Sequence, residues 1–154
     1  MGESGNETKR LEPLIGEWSM AMIPAGQKRP DQLPDIGARV TFEWVGQRAF
    51  MIQRWTVPVP EAPNGVAVIR WDDGGAGFLQ HYFDTRGVAR VYEMSLEAGV
   101  WKLERTKRDL SPVEFSQRFT GTFSADGKRI DGTWEIARDQ KIWQKDFDLV
   151  YTRV

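Results

Sequence analysis

From residue 16 onward the chain is divided into short segments rich in Val, Ile, Phe, Trp, Tyr and Thr, each closed by a turn signal. Ten such segments can be read, over 17–23, 38–45, 50–57, 66–71, 78–84, 88–96, 100–106, 115–124, 129–137 and 144–153. β-branched and aromatic side chains suit a pleated, half-buried surface, so these are predicted strands. Asp72-Asp73-Gly74-Gly75, Thr85-Arg86-Gly87, Glu97-Ala98-Gly99 and Ala125-Asp126-Gly127 place glycines where tight hairpins call for positive φ. Links this short make successive strands antiparallel neighbours. No convincing amphipathic helix interrupts the series; residues 8–13 offer one weak helical turn. An antiparallel meander exposes two edges unless it curls and closes on itself. The expected fold is all-β: a single antiparallel up-and-down β-barrel of about ten strands with a central cavity. It fills one domain over 1–154, with 1–13 as a polar N-terminal extension expected to be partly disordered.

Composition removes several function classes. Lys plus Arg number 21 against 22 for Asp plus Glu, a net charge of −1. Proteins that bind nucleic acid usually carry a basic excess, so no nucleic-acid partner is expected, and the seven tryptophans are assigned to core and pocket lining. With no cysteine there is no disulfide, thiolate metal site or cysteine nucleophile, and a single histidine, His81, cannot build a multi-histidine metal centre. The polar opening MGESGNETKRLEPLIG lacks the apolar core of a secretory signal, and Asn6 breaks a myristoylation motif. No apolar run is long enough for a membrane span. The default expectation is a cytoplasmic monomer or homodimer.

One connection departs from hairpin length. Residues 24–37 include Pro24, Pro30 and Pro34 together with Gly26 and Gly37, and prolines cannot donate to a strand ladder. Long loops inside compact domains are commonly functional, so this segment is read as a proline-rich lid over one barrel mouth.

Alternation along each strand sorts the side chains into two faces. Trp101 and Leu103 point inward, and the short loops on either side carry Leu96, Met94, Tyr92 and Arg90, then Phe78, Gln80 and Tyr82, to the same face. Phe115, Gln117, Phe119, Phe123, Ile130, Trp134, Ile136, Phe147, Leu149 and Tyr151 follow. Asp146 and Asp148 are expected outside, as a solvated strand face rather than a carboxylate pair. The segment Phe-Met-Ile-Gln-Arg-Trp-Thr-Val is apolar on both faces and has no preferred orientation. A three-residue loop at 85–87 sets Tyr82 opposite Arg90 and Gln80 opposite Tyr92. The inner face thus mixes large aromatics with Gln80, Tyr82, Arg90, Tyr92 and Gln117. Polar groups among aromatics either satisfy one another or hold the polar head of an apolar ligand.

Gly16-Glu17-Trp18 at the start of the first strand resembles the Gly-x-Trp signature of the calycin superfamily, which includes lipocalins, fatty-acid-binding proteins and nitrobindin-like barrels. That resemblance implies a tryptophan at the closed end with a basic residue of the last strand packed over it, here Arg153, through a cation–π contact. The stretches HYFDTRGVARVYEMSL and FSQRFTGTFSADGKRIDGTWE resemble a group of small bacterial proteins that brings no established activity. Nitrobindin-like barrels hold haem through a histidine near the chain's end. His81 lies mid-chain and faces opposite to Tyr82, so an outer-face histidine is expected.

The expected function is non-enzymatic binding of a small, largely apolar ligand with a polar or acidic head group, without a cofactor. The candidate binding residues are Gln80, Tyr82, Arg90, Tyr92, Met94, Trp101, Gln117 and Trp134. The alternatives are an isomerase- or cyclase-type enzyme using Tyr82, Tyr92 or Arg90 in the same pocket, and a haem barrel ligated by His81.

Overall fold

The computed structural model describes residues 7–75, 77–107, 109 and 114–154. Ten strands form: β1 (Gly16–Pro24), β2 (Arg39–Val45), β3 (Phe50–Thr56), β4 (Gly65–Asp72), β5 (Gly77–Asp84), β6 (Ala89–Glu97), β7 (Val100–Arg105), β8 (Ser116–Phe123), β9 (Arg129–Ala137) and β10 (Gln144–Arg153). Each boundary lies within one residue of the sequence expectation. Sequence neighbours pair throughout, and β1 pairs with β10 as well as β2, so the sheet closes into an antiparallel barrel without a free edge.

Successive connections fall at alternate ends. At one end the hairpin turns after β2, β4, β6 and β8 are joined by a short 3₁₀ helix, η1 (Lys9–Leu14), which occupies the position of the weak turn expected at 8–13. Leu11 and Leu14 of η1 and Trp18 of β1 are completely buried. Burying large apolar side chains is worth roughly 1.5–3 kcal/mol each, enough to hold this short helix as a plug. The Trp18 indole N–H donates to the Leu14 carbonyl at 2.9 Å. Arg153 lies over the Trp18 ring, with Cζ 4.1 Å from the centroid, and donates to the carbonyls of Ile15 at 2.6 Å and Pro13 at 2.8 Å. Gly16 has a φ of 120°, and a Cβ there would stand 2.8 Å from the Arg153 guanidinium. Only glycine meets both conditions easily.

Above this plug Trp101 packs edge-on against Phe42 and Phe119, with centroids at 5.9 and 4.9 Å. Gly121 of β8 and Gly132 of β9 are directly paired and leave a depression that the Phe119 ring fills. The aromatic core therefore occupies one half of the barrel, and the other half is open inside.

Candidate functional site

The open half is a cavity of about 520 Å³. That lies within the range of about 300–1,000 Å³ usual for small-molecule sites. It opens at the end where β1, β3, β5, β7 and β9 terminate, and the exposed side chains of Met22, Ile36 and Val59 give its mouth an apolar rim. Ile36 belongs to the long proline-containing connection after β1. In the same connection Arg29 reaches the outer wall and pairs with Asp131 of β9 at 2.8 Å and Asp148 of β10 at 3.3 Å.

Seven of the eight expected binding residues, Gln80, Tyr82, Arg90, Tyr92, Trp101, Gln117 and Trp134, line this cavity. Met94 is inside the barrel but does not line it; paired with Phe78 and Leu103, it belongs to the core nearer the plug. Tyr82 stands opposite Arg90 and Gln80 opposite Tyr92, in the register implied by the three-residue loop.

Two polar clusters stand out against the aromatic wall. In the first, Gln117 Oε1 accepts from the Tyr92 hydroxyl at 3.0 Å and from Arg90 Nη1 at a long 3.3 Å. The Arg90 guanidinium also stands over the Phe115 ring, 5.4 Å from its centroid. No carboxylate among the described residues lies within ion-pairing distance of Arg90. The second cluster is at the turn after β5, where Asp84, its side chain fully buried, accepts from the Tyr82 hydroxyl at 2.6 Å and from Arg86 at 2.7 Å. Burial opposes ionisation of Asp84, but the hydrogen bonds from Arg86 and Tyr82 outweigh it and bring its pKa down to about 2. Burial, then the bond to Asp84, pushes the Tyr82 hydroxyl well above the usual phenol range; burial raises Tyr92 against the opposing charge of Arg90. Both hydroxyls therefore stay protonated and committed as donors.

The β3 residues Gln53 and Trp55, not oriented from the sequence, also face the cavity. Trp55 stacks on Tyr82, with centroids 5.2 Å apart. Gly65, its cross-strand partner, makes the room, because a Cβ there would come within 2.2 Å of the indole. A four-residue turn after β2 pairs Val45 with Phe50, which forces Met51, Gln53 and Trp55 to the face of Val40, Phe42 and Trp44. That loop length was the signal available in the sequence.

Asp146 corrects an expectation. It lines the cavity rather than facing solvent beside Asp148, because the β9–β10 register slips between Lys145 and Phe147 and leaves Asp146 in a bulge. A bulge adds a residue to one strand and re-aims its side chain. Asp148 keeps the outer face, where Thr133, Lys145 and Arg29 hold it.

His81 lies on the outer face between Gln80 and Tyr82, and its Nε2 accepts from Arg70 Nε at 3.1 Å. Burial, then the neighbouring Arg70 charge, lowers its pKa. It does not reach the cavity. Among the described residues no group of three His, Cys, Asp or Glu side chains could hold a metal ion, and no helix is long and apolar enough to cross a membrane.

Fold and site together define a closed ten-stranded antiparallel barrel with an aromatic-lined cavity open at one end. The chain is similar in structure to Rv2717c from M. tuberculosis, known from a crystal structure, with a TM-score of 0.61 and 19% sequence identity over 96% of this chain and 97% of that one. A likeness at this identity is one of fold. No protein-family model and no curated protein matches the chain.

Proposed function

We propose that this protein is a calycin-type barrel that binds a small, largely apolar ligand, holding its polar or acidic head group at Arg90. The observation that carries the reading is a cation with no carboxylate in ion-pairing distance among the described residues: Arg90 faces a cavity walled by Trp55, Tyr82, Tyr92 and Trp134, with the neutral Gln117 and Tyr92 beside it. A charge in an apolar setting is costly unless compensated, and an anionic ligand supplies the compensation. The Gly16–Trp18–Arg153 arrangement at the plugged end supports the calycin comparison.

The raised tyrosine pKa values favour binding over isomerase or cyclase chemistry. A catalytic acid works best with a pKa near ambient pH, and Tyr82 and Tyr92 are driven the other way. Ile36 at the mouth supports a gating role for the connection after β1. Native mass spectrometry of the protein purified from its producing cells tests the reading. A stoichiometric, low-mass, acid-containing adduct that dissociates on denaturation is expected. A protein that stays adduct-free and gives no saturable heat with an apolar acid such as 1-naphthoate would refute it.

A further inference from the structure

Two amide side chains, Gln53 on β3 and Gln80 on β5, are more than nine-tenths buried and both line the cavity. They meet across β4, where Ala67 stands opposite Gln53 and Ile69 opposite Gln80, and the small Ala67 side chain leaves space above it. Gln80 Nε2 donates to Gln53 Oε1 at 2.9 Å. That bond uses one of the two N–H donors of Gln80. The amide nitrogen of Gln53 and the carbonyl oxygen of Gln80 have no hydrogen-bond partner among the described residues, and neither is sealed off from the cavity. Exchanging nitrogen and oxygen in both amides leaves the same inventory, one free donor nitrogen and one free acceptor oxygen.

Two half-satisfied amides are a poor way to build an apolar wall. Unpaired polar groups in a low-dielectric interior cost free energy that two methionines in the same places would not. A hydrocarbon chain cannot satisfy them. A second carboxylate would satisfy the donor but set its negative charge against the Gln80 oxygen. A group that carries acceptor and donor side by side satisfies both, and the flat Trp55–Tyr82 stack on the same wall suits a planar ring.

On the binding reading above, we infer that Gln53 and Gln80 form a second recognition element, specific for the cyclic-amide edge of a flat heterocyclic ligand. The ligand carbonyl accepts from Gln53 and its ring N–H donates to Gln80, while its acidic group lies at Arg90. The ligand class is a ring acid with a lactam edge, as opposed to a simple fatty acid.

Calorimetric titration with three probes of similar shape tests this: 2-oxo-1,2-dihydroquinoline-4-carboxylate, its N-methyl derivative, and 1-naphthoate. The lactam acid is expected to bind at least about tenfold more tightly than 1-naphthoate, and N-methylation to erase the advantage. The Gln53→Met/Gln80→Met double variant is expected to level the lactam acid and 1-naphthoate. Naphthoate binding without a lactam preference overturns this inference and leaves the binding reading standing, as does a preference that survives in the double variant. Binding of none of the three overturns both. Absence of a lactam preference on the unsubstituted protein overturns the inference even if the double variant does not fold, and the Gln53→Met and Gln80→Met single variants then carry the other half of the test.

Discussion

Arg153 and Trp18 lock the two ends of the chain together: the guanidinium lies 4.1 Å above the indole centroid and also donates to two carbonyls of the segment preceding β1. The pair joins β10 to β1, the seam at which the barrel closes. Trp18→Ala is expected to cost about 3–5 kcal/mol, as for other fully buried large aromatics. Arg153→Met keeps much of the packing but loses the charge-assisted bonds, and is expected to cost about 1–3 kcal/mol. Urea denaturation of both variants measures the two losses. An Arg153→Met protein as stable as its parent would remove the arginine from any structural role at the seam.

Gly132 supplies a second test of the plugged half. A Cβ at this position would come within 2.4 Å of the Phe119 ring and 2.7 Å of the Leu149 carbonyl. The ring can swing aside, but the carbonyl belongs to the neighbouring strand and cannot. Gly132→Ala is therefore expected to destabilise by about 1–3 kcal/mol, and a Phe119→Leu change in the same chain should recover only part of it. Thermal melts of the single and double variants give the comparison.

The strand layout was legible because every segment carries its own period and every short turn its glycine. The face assignment from β5 to β7 was legible for a related reason: loops of fixed length transmit the alternation from one strand to the next, so Tyr82 and Arg90 meet as the loop dictates. β3 was obscure because Phe50 and Ile52 on one face are as apolar as Met51 and Trp55 on the other. The Arg54–Glu43 ion pair on the outer wall breaks that tie only once β2 has been oriented. Asp146 could not be placed from its spacing, since a bulge inserts a residue without changing composition. Arg86 was read as a turn residue only, because nothing in the alternation of β5 or β6 reports that a turn side chain leans over the mouth.

His81 gives a prediction about haem. With its Nε2 engaged by Arg70 on the outer face, it has no route to an iron held in the cavity. Haemin added to the protein is expected to give the same absorption spectrum with His81→Ala as without the substitution. A saturable Soret band lost in that variant would place the histidine inside and reverse the orientation of β5.

The Asp84 cluster predicts an acid-sensitive contribution to stability. Its pKa is about 2 in the folded protein, against about 3.9 for an unfolded aspartate. A depressed carboxylate stabilises the fold fully above the unfolded value, and that contribution is lost as pH falls through the folded one. The melting temperature should therefore drop between about pH 4 and pH 2. Asp84→Asn should be less stable at pH 7 by about 1–3 kcal/mol and should show a shallower drop over the same interval. Parallel acid slopes for the two proteins would show that Tyr82 and Arg86 do not hold Asp84 as described.

Arg90 separates a binding role from a structural one. Its partners among the described residues are a long bond to Gln117, the neighbouring Tyr92 and the face of Phe115, all weak compared with a carboxylate pair. If its charge serves a ligand acid, Arg90→Met should weaken 1-naphthoate binding by about ten- to hundredfold, the loss of one charge-assisted hydrogen bond. Folding should suffer little, because methionine fills the same space and Tyr92 keeps its bond to Gln117. If the charge instead holds β6 against β8, the same substitution should lower the melting temperature and leave 1-naphthoate affinity nearly intact. Affinity and melting temperature measured on one preparation of the variant distinguish the two. Lost stability with unchanged affinity would leave Arg90 as a half-buried structural arginine and remove the head-group site from the cavity.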